Sequence, residues 1–97
     1  MSDAAPSRLR IKVITPRRLL VDDEADSVTL PGLEGELGIL PGHRPLLIAL
    51  GMGELAYVIK GRERRFSVNG GTAEIAPERV LVFTDQVRDE KDGNLQG

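Results

Sequence analysis

Residues 30–47 read LPGLEGELGILPGHRPLL, with four glycines and three prolines in eighteen positions and the chain's only histidine among them. Proline removes an amide donor and fixes φ, and glycine weakens any regular element. No helix runs through this stretch, and only fragments of it suit a strand. Leu40-Pro41-Gly42-His43 fits a type II turn, with proline at the second position and glycine at the third. Arg44 precedes Pro45 and is pushed toward an extended conformation. Gly32, Gly35 and Gly38 supply further positions where unusual backbone angles are open. A loop this stiff holds Glu36, His43 and Arg44 at fixed places with little entropy left to lose on binding. A second reading of the same residues is a set of plain sandwich corners, and the residues alone do not choose between the two.

On either side the pattern is that of short strands. RLRIKVIT (8–15) alternates, with Leu9, Ile11 and Val13 on one face and Arg8, Arg10 and Lys12 on the other. RLLV (18–21) is a second strand, closed by an acidic turn at Asp22, Asp23 and Glu24, and DSVTLP (26–31) alternates again. LLIAL (46–50) ends at GMG (51–53). ELAYVIK (54–60) and ERRFSVN (63–69) are joined by Gly61-Arg62, which suits a type II′ hairpin. Asn69-Gly70-Gly71 turns the chain into TAEIA (72–76), Pro77-Glu78 turns it again, and RVLVFTD (79–85) follows. No window carries a 3.6-residue period. The expectation is an all-β chain, a two-sheet β-sandwich of about ten short strands. It has a disordered N-terminus (1–7), a sandwich domain (8–87) and a polar tail (88–97).

Composition narrows the function classes. With 97 residues there is room for one domain. Aromatic residues are 3%, so the core is aliphatic. There is no cysteine, which removes disulfides, thiolate chemistry and cysteine-based zinc sites. A net charge of −2 argues against nucleic acid. The longest apolar run, residues 45–53, is too short to span a bilayer, and the N-terminus has no signal-peptide core. Ser2, Ser7, Ser27 and Ser67 lack a nucleophile-elbow context, and His43 has no obvious carboxylate to orient it. The Gly-Gly of SVNGGTAEI (67–75) is followed by a strand and not by the helix that a phosphate loop needs. Glu34 and Glu36 lie on a glycine-flanked loop without the burial that would separate two carboxylate pKa values. No catalytic, cofactor or metal residue is expected; a binding or scaffold module is.

Two segments break the alternation. Leu46, Leu47, Ile48 and Leu50 in one, and Leu81 and Phe83 in the other, make strands apolar on both faces. Such strands are either covered within the domain or offered to a partner.

GELGILPGHRPLL (35–47) resembles the signature of the epsilon subunit of the F-type rotary ATP synthase. FSVNGGTAEIAPERVLVFTD (66–85) and LRIKVITPRRLLVDDEADSVTLPG (9–32) are similar to the same family, so the resemblance covers about residues 8–87. It implies a ten-stranded sandwich at the foot of the central stalk. It also implies a non-catalytic rotor subunit that binds the gamma subunit, rests on the ring of c subunits and couples ion flow to ATP synthesis. The place implied is the cytoplasmic face of the bacterial inner membrane, peripheral and without insertion. The docking loop on the c ring and gamma would then comprise Gly35, Glu36, Leu37, Gly38, Pro41, Gly42, His43 and Arg44, with the two apolar strands turned to gamma. Many members carry a C-terminal helical hairpin that inhibits hydrolysis and in some binds ATP. DEKDGNLQG (89–97) supplies no amphipathic helix, so neither a hairpin brake nor ATP binding is expected. The rival from the residues alone is a stand-alone sandwich that binds a ligand or an unrelated protein.

Overall fold

The computed structural model describes residues 7–85, 87–89 and 95–96. The strands are β1 (Leu9–Ile14), β2 (Leu19–Ala25), β3 (Ser27–Gly32), β4 (Gly35–Ile39), β5 (Leu46–Ile59), β6 (Arg62–Ala76), β7 (Arg79–Phe83), β8 (Val87–Asp89) and β9 (Leu95–Gln96). The all-β sandwich expectation holds. The strand lengths differ from it, because β5 and β6 run through GMG and Asn69-Gly70-Gly71 as one hairpin of 14 and 15 residues.

That hairpin keeps one register from Leu46↔Ile75 to Ile59↔Arg62. Its ladder lapses only where Gly51 faces Gly70, between Leu50↔Gly71 and Met52↔Asn69. Gly70 and Gly71 stand there at φ 73° and 120°. Glycine in a strand marks a bend, and here the bend carries the hairpin from one layer to the other. The first layer is β2-β1-β7 with the 72–76 half of β6 and the 46–50 half of β5. The second is β4-β3 with the far half of β5, the 62–69 half of β6, β8 and β9. So the glycines read as turn-makers are layer-switchers. The hairpin tip is also different from the type II′ expectation. Lys60 and Gly61 are both at positive φ (50° and 80°), the mark of a type I′ turn with those two residues at its centre.

Between the layers lies one aliphatic core. Leu9, Ile11, Val13, Val80 and Val82 meet Val28, Leu30, Ile39, Leu55 and Val68 across it. Tyr57 and Phe66, the only aromatic residues in it, stack with centroids 6.0 Å apart. Asp22, Asp23 and Glu24 are not a turn. They lie within β2, opposite Lys12, Ile11 and Arg10 of β1. Strand alternation parts them: Asp22 takes a hydrogen bond of 2.6 Å from Arg10 Nε on the outer face, while Asp23 accepts one of 2.8 Å from the buried Tyr57 hydroxyl. The expected turn at Pro77-Glu78 is present, closing Ala76↔Arg79. Strands β8 and β9 continue the second layer into the region read as a polar tail, whereas the expectations for residues 1–6, 90–94 and 97 fall outside the described residues.

The hydrogen bond from Arg10 holds the Asp22 carboxyl below its ordinary range. A lowered folded-state pKa contributes stability that is complete above the unfolded value and is lost as pH falls through the folded one. The stability gap between the parent chain and Asp22→Asn is therefore expected to be constant near neutrality and to close below roughly pH 4. Urea midpoints taken from pH 7 to 3 check it; a gap that widens toward acid contradicts the pairing.

Candidate functional site

The stiff loop of residues 40–45 joins β4 to β5 at one end of the sandwich. The turn at Leu40-Pro41-Gly42-His43 has the predicted type: His43 N–H donates to the Leu40 carbonyl (3.2 Å) and Gly42 sits at φ 90°. The Gly42 amide donates to the Pro77 carbonyl (2.7 Å), which ties the loop to the β6–β7 turn. His43 Nδ1 lies 2.8 Å from the Arg44 carbonyl. A carbonyl only accepts, so Nδ1 carries the proton and Nε2 is left as the ring's other polar atom. His43 is half-buried and Arg44 is exposed. The loop is thus built from main-chain bonds and a self-bonded imidazole, with the guanidinium outward.

Glu36 is elsewhere. It lies on β4 opposite Pro31 and is exposed, as is Glu34 in the preceding turn. Gly35 there has φ 130°, and Gly32 faces the Gly35 carbonyl so closely that a Cβ would stand 2.8 Å from its oxygen. Gly38, by contrast, is in ordinary strand geometry with open space around it, so the unusual angle expected of it is absent. Leu37 packs against the core. Between this hairpin and β5 runs a groove of about 480 Å³, lined by Leu33, Leu37, Leu46, Ile48 and Ala49 with Glu34 and Glu36 at its rim.

The apolar strands divide by alternation, with Leu46, at the open end of the inner face, still 39% exposed. Leu46, Ile48 and Leu50 share the inner face with Ile75 and Ala73. Leu50, expected from the sequence among the partner-facing residues, is 3% exposed and belongs to the core, so its side chain has no outward surface to offer. Cross-strand partners share a face. One outer row therefore runs Leu47, Glu74, Leu81, Lys12, Asp22, and the next runs Ala49, Thr72, Phe83, Ile14, Leu19. Leu47 is 68% exposed, Leu19 48% and Phe83 41%. Nothing among the described residues covers this face. Of the two readings left open for the non-alternating strands, internal cover fails for the outer halves of both. Sequence reasoning missed Leu19 and Ile14. The adjacent pair Leu19-Leu20 was the available signal, since a strand with one wet face does not place two leucines side by side.

Chemically the arrangement defines a binding module: a rigid polar loop, an acid-rimmed groove and an uncovered sheet face whose apolar part runs through Leu47, Phe83, Ile14 and Leu19 beside charged residues. No helix among the described residues is long and apolar enough to cross a membrane. The chain belongs to the ATP synthase delta/epsilon family, whose beta-sandwich domain model matches residues 8–90. It is 40% identical over 91 residues to the ATP synthase epsilon chain of Solibacter usitatus, covering 94% of this chain and 68% of that one. To the ATP synthase epsilon chain of Carboxydothermus hydrogenoformans it is 36% identical over 78 residues, covering 80% and 58%. The chain thus spans roughly two thirds or less of the lengths of these relatives. The same fold occurs in a subunit of the Euglena gracilis mitochondrial ATP synthase, solved as its OSCP/F1/c-ring assembly. The TM-score there is 0.85 at 20% identity, with 97% of this chain and 61% of that chain covered.

Proposed function

We propose that this chain is a non-catalytic subunit of the central stalk of an F-type ATP synthase, docking gamma onto the c ring at the cytoplasmic face of a bacterial inner membrane. The observation that carries this reading is the family match over 8–90, which takes in strands β1 to β8 together with the stiff loop and both apolar strands. The outer apolar face is the surface for gamma. The loop with His43 and Arg44 and the acidic hairpin with Glu36 are the surface for the polar loops of the c ring. A rotor contact must pass torque, and main-chain-braced turns are suited to that because they deform little.

Co-purification from native membranes tests the assignment: gamma and c subunits are expected with the tagged chain, and their absence rejects it. Single changes test the loop. Glu36→Ala and His43→Ala are expected to weaken retention on the c ring by about 1 kcal/mol or more, as for interface residues that matter on truncation. Both are expected to alter folding stability by no more than about 1 kcal/mol, because neither side chain fills the core. A large loss of thermal stability with unchanged assembly would make the loop structural.

A further inference from the structure

The groove beside β4 has a wall made of main chain. In an antiparallel strand successive residues point their N–H and C=O to opposite edges. The Leu33 amide donates to the Ala49 carbonyl over 3.1 Å. Ala49, and with it Leu47, therefore turns its main-chain groups away from β6 and toward the groove. Strand β3 stops pairing with β5 at Gly32↔Leu50, and β4 pairs with β3. Among the described residues the Leu47 N–H, the Leu47 C=O and the Ala49 N–H have no partner. An unpaired edge next to an apolar groove is a template for an added strand. The rim gives the sign of what would fit: Glu34 and Glu36 are exposed and make no ion pair among the described residues.

We infer that Leu47–Ala49 is a strand-addition site for an extended peptide segment with a branched apolar residue flanked, two positions to either side, by lysine or arginine. Pairing with the free edge sets the segment's register. Alternation then sends the apolar residue toward Leu37, Leu46 and Ile48, and the flanking cations, on the same face, toward Glu34 and Glu36. The site is defined by the edge and the groove and is independent of the rotor assignment, which co-purification with gamma reads separately.

The test uses the full chain, isotope-labelled, and the capped pentapeptide Lys-Thr-Leu-Thr-Lys. With so few main-chain bonds available, saturation is expected with a dissociation constant of about 100 µM. The Leu47 and Ala49 amides are expected to shift and to gain protection from exchange. Ala49→Pro deletes a groove-facing N–H and leaves the β6 ladder its bonds, a place where an edge strand tolerates proline. It is expected to weaken the peptide at least about tenfold, as loss of pairing at the centre of so short a strand requires. Glu34→Gln with Glu36→Gln is expected to weaken it a few-fold and to flatten its salt dependence. Equal binding by Ala49→Pro, unaltered Leu47 and Ala49 amides at saturation, or no binding at millimolar peptide each overturns the inference. The exchange measurement on the parent chain decides the matter even if the proline variant does not fold.

Discussion

Gly71→Ala is expected to unfold much of the population at moderate temperature, although it adds a single methyl group. Gly71 stands at φ 120°, outside the range that an L side chain adopts readily. A Cβ there would overlap the Phe83 carbonyl oxygen and lie 3.0 Å from the Thr84 Cα. Neither atom can retreat. Thr84 Oγ1 donates to the Gly70 carbonyl at 2.7 Å, and the Thr84 amide donates to the Ile14 carbonyl at 3.0 Å. The hairpin bend and the end of β7 are thereby clamped together, so relief of the overlap breaks a clamp, a ladder or both. Backbone strain and overlap together put the cost at about 3 kcal/mol or more. For a domain of this size that is a fall in Tm of roughly 15 °C or more. Gly38→Ala is the control: an ordinary strand angle and open space predict a change within about 0.5 kcal/mol. A Gly71→Ala chain as stable as the Gly38→Ala chain would mean that the bend is not what holds the two layers together.

The sequence contains that bend in plain sight as Asn69-Gly70-Gly71, yet reads most simply as a turn. Glycine pairs end strands far more often than they bend them. What distinguishes the cases is the partner strand, where Gly51 and Gly53 flank Met52 directly opposite. Two glycine clusters in register across a hairpin are the signature of a shared bend, but register is a tertiary fact. The acidic run at 22–24 reads from sequence as a turn for a similar reason. Three consecutive carboxylates favour solvent, and only Arg10 on one side of β1 and the Tyr57 hydroxyl across the core make a strand of them acceptable. Local chemistry sufficed where the geometry is local, as in the type II turn at Leu40–His43, whose proline and glycine each meet a backbone requirement of their own position. The candidate docking residues were legible as types but not as places. The non-alternating strands announced an apolar outer face. Which residue of each pair faces outward follows only from pairing, and pairing moved Leu50 into the core and brought Leu19 and Ile14 beside Phe83.

That outer face makes Leu47→Asp the sharpest test of the proposed gamma contact. Leu47 is 68% exposed in the free chain, so a carboxylate there meets water and folding stability is expected to change by no more than about 0.5 kcal/mol. Against gamma the same carboxylate loses its water. Its neighbours on the sheet face are Glu74, directly opposite, and then Leu81; the cation beside Glu74, Arg79, is already paired with it at 3.7 Å, so the new carboxylate meets a like charge first. An uncompensated buried charge of this kind costs about 2–4 kcal/mol of binding, which is roughly 30- to 1,000-fold in affinity. Phe83→Asp, one row away beside Thr72 and Ile14, is expected to do the same through the same face. Leu33→Asp supplies the contrast, because Leu33 is equally exposed but belongs to the β3–β4 turn beside the groove and not to this sheet face. Calorimetric titration of purified gamma with the three variants separates the cases. Loss of binding in the first two and retention in the third places gamma on the outer rows of β5, β7 and β1. Full affinity in both sheet-face variants removes gamma from that face, whatever else the chain assembles with.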